Sequence, residues 1–283
     1  MKKNYEPSEL EQLHRVLHEI LTEIIRVCKL LDIPYFIQGG TAMGAYFEND
    51  IMAWDDDIDL GMTRNDYNRF LREAPQVLGK DYFLAWFGSN PHSPFYFAKV
   101  RKNNTLFLEE ICQKIDMHHG IYIDIFPFDK IPDNKRLEHL QRKACNWVNY
   151  CFVAKDVWPW RYFGKCDVDI PYKKSALDCL TTKIVSLLIP KSWLYRLLCK
   201  IQGAFNDRDT TYYNIVMMPK DQIAVDSIKH LQEITFGPNT VTAPSDLETY
   251  LHHHYGKNIQ RIPPKEKQIN HAPIALKFNT EKT

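Results

Sequence analysis

Six carboxylates lie close together between Glu48 and Asp59 with no Lys or Arg among them, giving a local charge of −6 (Glu48, Asp50, Asp55, Asp56, Asp57, Asp59). Alternate side chains share one face of an extended strand, so Asp57 and Asp59 are expected to project together. Ile58 and Leu60 would then point into apolar packing. A solvated acidic loop is the alternative, but such loops do not usually interleave aspartates with Ile and Leu.

Two ionised carboxylates held side by side next to a core are unfavourable unless one is protonated or a cation bridges them. Magnesium suits such a pair, because hard oxygen ligands and substrate phosphates complete its octahedral coordination. Manganese has the same preference for oxygen ligands. The pattern therefore predicts a Mg²⁺ site at Asp57 and Asp59, with Mn²⁺ as a possible substitute.

A third carboxylate stands alone in an apolar strand. Ile121–Phe126 is otherwise hydrophobic or aromatic, and Asp124 interrupts it. A buried carboxylate needs a partner. If this strand lies beside the one that carries Asp57 and Asp59, Asp124 becomes the third member of a carboxylate triad. A structural role as a cap or hydrogen-bond acceptor is the alternative.

A glycine turn supplies a place for the phosphates. Gly39, Gly40 and Thr41 follow a short apolar strand and open a helix, so backbone amides can approach an anion at the helix N-terminus. Two glycines before a helix are common, and the signal is weak alone. It is stronger here because Asp57 follows Thr41 by 16 residues, which would place a phosphate cradle and a metal site in one cleft.

Other polar residues are weaker candidates. Lys99 and Arg101 alternate on a predicted strand, so both could face the cleft and bind phosphate; ordinary exposed strand charges are the alternative. The triplet His252–His254 fans around a helix and is expected to be solvated. Four further side chains could contact substrate, and the alternative for each is that it has no role in binding (His118, His119, Lys267, His271).

The elements that would position these residues divide the chain into two halves. The first half is α/β: helix Glu9–Leu31 is followed by strands and helices in alternation, and Thr63 is a plausible cap for a helix to about Glu73. The predicted strands are Tyr35–Gln38, Asp57–Met62, Tyr82–Phe87, Phe95–Arg101, Leu106–Glu109 and Gly120–Phe126. The second half is expected to be mainly helical, with helices at Asn134–Val153, Ala176–Ile189, Ser192–Phe205 and Leu247–Tyr255.

Composition limits the class of protein. The chain has 283 residues, 45% apolar and 25% charged, with a net charge of +1. These are globular values, and they disfavour disorder and a strongly basic nucleic-acid binder. No signal peptide or membrane span is readable, so we expect a cytoplasmic protein. The seven scattered cysteines contain no C-x-x-C pair and are expected to be reduced thiols.

The near-zero net charge hides a basic segment. Lys173–Lys200 carries six basic residues and one acidic residue, Asp178, interleaved with apolar side chains at helical spacing. This pattern is typical of a pair of basic amphipathic helices. Peripheral contact with the inner face of the plasma membrane is one interpretation. A soluble partner helix or ordinary core packing is the other.

The glycine turn and the aspartates described above resemble the sequence pattern of the LicD family of choline phosphotransferases, within the nucleotidyltransferase-fold superfamily. The matching strings are Gly39–Ala45 and Trp54–Met62, with Arg64, Asp66 and Tyr67 behind them. Weaker matches follow at Ala98–Arg101 with Asn104 and Thr105, at Gly120–Asp129, and at Tyr255 and Gly256 with Pro263 and Pro264. The resemblance spans roughly residues 10 to 271, with a poorly matched middle.

The resemblance implies an α+β fold: a nucleotidyltransferase-like core with a mixed sheet flanked by helices, and a mainly helical second half. We accordingly divide the chain into a catalytic core, 1–130, and a region completing the acceptor site, 131–283. The family's metal aspartates fall on Asp57 and Asp59, and its third acidic residue falls on Asp124, as a further metal ligand or as the base; these three are the implied catalytic residues. The implied reaction is transfer of phosphocholine from CDP-choline to a sugar of a cell-surface glycan (lipopolysaccharide, teichoic acid or capsule) or its lipid-linked precursor.

A quaternary headgroup would be enclosed by aromatic rings through cation–π attraction. Trp54 and Tyr122 are the candidates, because they lie within the carboxylate strings. One departure bears on the donor: family members usually carry an Arg-His pair where Phe47 and Glu48 stand. Relatives in the superfamily move other phospho-alcohols, such as ribitol phosphate. Two other functions stay open: transfer of a nucleotidyl group by the same fold, and a non-catalytic nucleotide-binding scaffold in glycan assembly.

Overall fold

The computed structural model describes residues 5–161, 181, 184–257, 259–262, 264, 268 and 270–280. Part of the basic segment, half of the predicted helix Ala176–Ile189, and Pro263 and Lys267 lie outside these residues. None of the described helices is long and apolar enough to cross a bilayer. The described elements have the following bounds.

The helices are α1 (Pro7–Leu31), α2 (Gly39–Glu48), α3 (Arg64–Glu73), α4 (Lys135–Arg161), α5 (Lys191–Gln202), α6 (Val225–Lys229) and α7 (Leu247–Tyr255). The strands are β1 (Phe36–Ile37), β2 (Asp59–Thr63), β3 (Tyr82–Ala85), β4 (Ala98–Lys102), β5 (Leu106–Leu108), β6 (Tyr122–Ile131), β7 (Tyr212–Asn214), β8 (Ile223–Ala224), β9 (Gln232–Phe236), β10 (Asn239–Ala243) and β11 (Ala275–Lys277).

A mixed sheet forms the centre of the molecule. Its strand order is β1-β2-β6-β4-β3, and β7 extends it by pairing with the distal end of β6. The pair β2–β6 is parallel, whereas β1–β2, β4–β6 and β3–β4 are antiparallel. Helices flank this sheet, so the predicted α+β fold with a mixed sheet is confirmed.

The long first helix follows from its apolar spacing. Apolar side chains recur every three or four residues and are buried along one face (Leu13, Val16, Leu17, Ile20, Leu21, Ile24, Val27, Cys28). Pro7 occupies the first turn, where its missing N–H costs no hydrogen bond. The helix ends at Leu31; the cap residue Asp32 adopts the left-handed conformation with φ 51°, and Pro34 lies just beyond.

The cap predicted at Thr63 is confirmed. Its hydroxyl accepts a hydrogen bond from the Asp66 amide and donates one to the Asp66 carboxylate, 2.6 Å away. Helix α3 then runs from Arg64 to Glu73. This pair of bonds fixes the direction in which the chain leaves β2, the strand that carries Asp59.

The second half contains more strand than the sequence analysis predicts. Strands β9 and β10 form an antiparallel hairpin, with Gly237 in the connecting turn at φ 55°. Val241 and Phe236 are buried, while Thr240 and Glu233 are exposed. The alternation and the Gly-Pro turn are strand signals, but each strand has only five residues and was not recognised beside the longer helical patterns.

The proposed division at residue 130 stays a prediction. Strand β6 crosses that position and ends at Ile131. Strand β11, near the C-terminus, pairs with β5 of the first half. Five described cysteines are free thiols, as predicted (Cys28, Cys112, Cys145, Cys151, Cys199).

Candidate active site

The three predicted carboxylates lie at the start of the parallel pair β2–β6, with Asp57 two residues before β2. Asp59 lies directly opposite Asp124 in the register, and the Asp124 amide donates a hydrogen bond of 3.1 Å to the Ile58 carbonyl. Ile58 and Leu60 are fully buried, while Asp57 and Asp59 remain partly exposed. The expected alternation and the expected proximity of Asp124 are both confirmed.

Burial and mutual repulsion oppose full ionisation of this cluster. Burial, followed by the charges of Asp57 and Asp124, raises the pKa of Asp59 well above its usual range. Burial also raises the pKa of Asp124 to about 6, although the adjacent Lys99 ammonium acts in the opposite direction. Burial, followed by the charges of Asp57 and Asp56, likewise raises the pKa of Asp55 well above its usual range. The site is therefore short of positive charge.

His271 supplies one positive charge. It lies in residues 270–280, which we call the C-terminal segment. Its backbone N–H donates to both Asp56 oxygens, at 2.8 and 3.0 Å, and its Nδ1 lies 2.9 Å from Asp57 Oδ2. Hydrogen bonds to Asp56 and Asp57 raise the pKa of His271 to about 12. Burial opposes ionisation of Asp57, but His271 outweighs it and lowers the Asp57 pKa. Tyr5 completes the surroundings of Asp56 with a hydroxyl donated at 2.6 Å.

The donor atoms present fit a divalent cation. The predicted set of Asp57, Asp59 and Asp124 consists of hard oxygens, which suit Mg²⁺. Among the described residues, the ligand atoms that all lie within 4.8 Å of one another belong to a different group, Asp56, Asp57 and His271, which shares Asp57 with the predicted set. Added positive charge would relieve the burial and repulsion that raise the pKa values of Asp59 and Asp124.

The glycine turn packs directly on the carboxylates. Gly39 has φ 55°, and a Cβ at that position would lie 3.5 Å from Asp59 Oδ2. A Cβ at Gly40 would lie only 2.6 Å from Asp55 Oδ2. A side chain at Gly40 would therefore displace a buried carboxylate. The predicted adjacency of the glycine turn and the acidic cluster is present.

Two of the three turn residues have partners inside the protein. The Thr41 hydroxyl accepts a hydrogen bond of 2.8 Å from the Asp59 amide, which ties α2 to β2. The Gly39 amide donates to the Tyr250 hydroxyl at 2.7 Å. Helix α2 begins at Gly39, so the amides of Gly40 and Thr41 have no partner within the helix. These two amides are the ones suited to a phosphate oxygen.

Helix α7 brings residues that the sequence analysis did not assign to the site. The Tyr250 hydroxyl donates to buried Asp221 at 3.4 Å, and His254 Nδ1 lies 2.6 Å from the same Asp221 oxygen. The expectation that His254 is solvated is therefore wrong, although it holds for exposed His253. The available signal was spacing, because Tyr250 and His254 stand four residues apart on one helix face.

Lys99 and Arg101 share a face of β4 but are buried rather than exposed, so the alternative of ordinary exposed strand charges is wrong. Lys99 Nζ lies 2.9 Å from Asp124 Oδ1 and 3.3 Å from Glu109 Oε1. Arg101 donates to the Gly120 carbonyl at 2.9 Å and to Glu109 at 3.3 Å. Lys99 thus touches the acidic cluster, whereas Arg101 is fully enclosed and offers no surface to a donor phosphate.

The aromatic candidates also differ in their surroundings. The Tyr122 ring is buried, and Lys99 Nζ lies 3.4 Å from its centroid with the Arg101 guanidinium at 4.8 Å. The face of the Tyr122 ring is therefore already occupied by cations of the protein and is not open to a headgroup. Trp54 is half-buried and packs against the core. Glu109, which no motif had indicated, joins Lys99 and Arg101 in one charge network.

Comparison with known proteins agrees with these features. A family model described as "LicD/FKTN/FKRP, nucleotidyltransferase domain" matches residues 32–173. The chain is 22% identical over 276 residues to the lipopolysaccharide cholinephosphotransferase LicD of Haemophilus influenzae, covering 93% of this chain and 95% of that protein. It is also 35% identical over 175 residues to an uncharacterized protein of Rickettsia typhi, covering 53% of this chain and 52% of that one.

Proposed function

The chain belongs to the LicD family, and we propose on that basis that it is a phosphotransferase that moves phosphocholine from CDP-choline to a sugar of lipopolysaccharide or its lipid-linked precursor. The observation that carries the proposal is the pairing of Asp59 with Asp124 on parallel strands, beside the glycine turn. A carboxylate cluster next to free helix amides is suited to a phosphorylated substrate.

Mg²⁺ bound by Asp57, Asp59 and Asp124 would neutralise charge on the donor diphosphate. The amides of Gly40 and Thr41 would hold phosphate oxygens at the start of α2. Lys99, adjacent to Asp124, would stabilise negative charge at the same end of the sheet. Phosphate binding by Lys99 and headgroup binding by Trp54 are parts of this proposal.

The bond changes are simple to state. The acceptor hydroxyl attacks the phosphorus that bears choline, a new P–O bond forms, and the bond to the CMP phosphate breaks. The hydroxyl proton needs a base, and Asp124 suits this role because its pKa of about 6 leaves it largely ionised at neutral pH and still basic. Asp124 can serve either as this base or as a metal ligand.

The departure from the family pattern lies at the end of α2. Glu48 accepts two hydrogen bonds from Arg261, at 2.7 and 2.8 Å, so this position already has a partner within the chain. Choline is accordingly the part of the proposal that depends most on experiment. Another phospho-alcohol is compatible with the same carboxylates and the same leaving group.

The deciding assay offers CDP-choline, other CDP-alcohols and nucleoside triphosphates with and without Mg²⁺, and measures CMP and pyrophosphate. We expect Mg²⁺-dependent CMP release from CDP-choline. Pyrophosphate release from a triphosphate would instead indicate nucleotidyl transfer, the second candidate, which the description of the matching family domain favours.

The matched variants are Asp59→Asn and Asp226→Asn. Both remove one carboxylate charge, but Asp226 is exposed and far along the chain from the cluster. Asp59→Asn, like Asp57→Ala, should reduce turnover by at least about a thousandfold if the carboxylate serves the metal and the transition state. Asp226→Asn should retain wild-type turnover. Substantial activity in Asp59→Asn would refute the assignment of the site.

A further inference from the structure

An apolar face with positive charge lies on α5 and on the helical residues that precede it. Large apolar side chains are exposed there, Leu188 by 77% and Trp193 by 65% of their surface, and those used below are Leu187, Leu188, Trp193 and Leu197. Arg196 and Lys200 are exposed among them and, with Trp193 and Leu197, line a shallow surface groove. We call these six residues the basic apolar face.

The basic apolar face is a consequence of helical spacing. Leu194, Leu198 and Gln202 recur every four residues and are buried. Trp193, Arg196, Leu197 and Lys200 occupy the opposite side at intervals of three, one and three residues. Lys191 is not part of the basic apolar face, because its ammonium lies 2.5 Å from the Asp156 carboxylate and donates a hydrogen bond of 2.7 Å to the Ser93 carbonyl.

Charge decides which partner fits this face. Residues 184–203 include three basic residues and no Asp or Glu. A twofold contact with a second copy would place this face against itself, bringing like charges together without compensation. An anionic lipid surface complements the cations and accepts the leucines and Trp193 at the interface. We propose that the basic apolar face docks the protein onto an anionic membrane surface.

The cations and the apolar side chains of the basic apolar face would both contribute to membrane docking. A cation near an anionic bilayer contributes modestly, and its contribution is screened by salt. Buried leucine and tryptophan side chains add an attraction that salt does not screen. Docking should therefore weaken but not vanish as ionic strength rises. This proposal concerns binding alone and stands apart from the transfer chemistry.

The test is flotation of the full chain with vesicles of phosphatidylcholine containing one quarter phosphatidylglycerol, and with pure phosphatidylcholine. The wild-type chain should float with the anionic vesicles and only weakly with the neutral ones. Arg196→Glu with Lys200→Glu should weaken partitioning by about 30-fold or more, because each cation near such a surface contributes roughly a factor of five. Leu187→Ser with Leu188→Ser should weaken it at least about tenfold at all salt concentrations.

The matched control is Lys29→Glu with Leu30→Ser on α1. Lys29 is exposed and Leu30 is 61% exposed, so the control makes the same kinds of change on another helix. It should bind like the wild type, with circular dichroism confirming that every variant is folded. Trp193→Phe should remove the blue shift of tryptophan fluorescence on binding.

Three results would overturn the proposal. The first is a folded wild-type chain that does not float with anionic vesicles. The second is a control variant that loses as much binding as the variants of the basic apolar face. The third is a dimer, seen by light scattering, that Leu187→Ser with Leu188→Ser dissociates, since the face would then be an interface between copies.

Discussion

Individual residues at the site owe their chemistry to burial. Asp124 is enclosed between β2 and β4, and Lys99 is the cation beside it. Desolvation favours the neutral carboxylic acid, whereas the ammonium favours the carboxylate. The balance places the pKa of Asp124 at about 6, above its ordinary value of 3.8. A carboxylate in this range changes its charge near physiological pH.

This balance predicts pH-dependent metal binding. Above pH 6 Asp124 is ionised and can ligate a cation, whereas below pH 6 it takes up a proton that a cation must displace. The affinity for Mg²⁺ should therefore fall by about fivefold from pH 6 to pH 5, and more if Asp59 also binds a proton. Isothermal titration calorimetry at several pH values measures this. An affinity that is constant between pH 5 and pH 7 would contradict it.

The matched variant is Asp124→Asn, which keeps the shape of the side chain and removes its titration. It should bind Mg²⁺ more weakly at pH 7 and show a shallower pH dependence than the wild type. A slope equal to that of the wild type would show that another group, such as Asp59, is responsible.

At the scale of elements, two contacts hold the glycine turn. Thr41 bonds to β2 through the Asp59 amide, and Gly39 bonds to α7 through the Tyr250 hydroxyl. Tyr250 in turn reaches Asp221, which His254 also contacts. Helix α7 is more than 200 residues away in sequence and nevertheless determines which amides of α2 remain free for a ligand.

Tyr250→Phe tests this support. The change leaves the buried Gly39 N–H without a partner, a loss of about 1–3 kcal/mol in the free energy of unfolding. The melting temperature should fall by about 2–4 °C for each kcal/mol. Because the glycine turn would loosen, KM for the donor should rise more than kcat falls. Differential scanning calorimetry and steady-state kinetics measure the two effects.

Tyr46→Phe is the control, since Tyr46 lies on the same helix as the turn and is 43% exposed. It should leave the melting temperature and KM unchanged. The role assigned to Tyr250 is wrong if Tyr250→Phe behaves in the same way as this control.

At the scale of the whole molecule, the C-terminal segment closes the site. Strand β11 pairs with β5, and the Thr280 amide bonds to the Asn104 carbonyl at 2.8 Å. These contacts place His271 beside Asp56 and Asp57. Residues from both ends of the chain therefore meet there, because Tyr5 also bonds to Asp56.

Two variants distinguish the effect of the His271 charge on the site from the effect of packing the C-terminal segment against β5. His271→Ala should raise the pKa of Asp57, because burial would no longer be opposed by the imidazolium. A chain ending at Gln268 should show the same rise and should also lose the β5–β11 pair, so its melting temperature should be lower than that of His271→Ala. Carbon-13 titration of the aspartates and thermal unfolding measure these effects. An unchanged Asp57 pKa in both variants would contradict the assignment.

Much of the fold and the acidic part of the site could be predicted from local sequence patterns. Alternation of aspartate with Ile58 and Leu60 is a local pattern, and a strand has only two faces, so the sharing of one face by Asp57 and Asp59 could be predicted. The cap at Thr63, helix α1 and helix α7 likewise follow from short-range spacing. Asp124 could be recognised because a single carboxylate in an apolar strand needs a partner.

Which groups face that cluster depends on contacts between distant parts of the chain. The register of β2 against β6, the contact of His271 with Asp57, and the bond from Gly39 to Tyr250 join residues far apart in sequence. The enclosure of Arg101 by Glu109 and the Gly120 carbonyl likewise depends on how strands pack. Periodicity describes which face a side chain takes, but the groups across from that face are set by long-range packing, which local spacing does not encode.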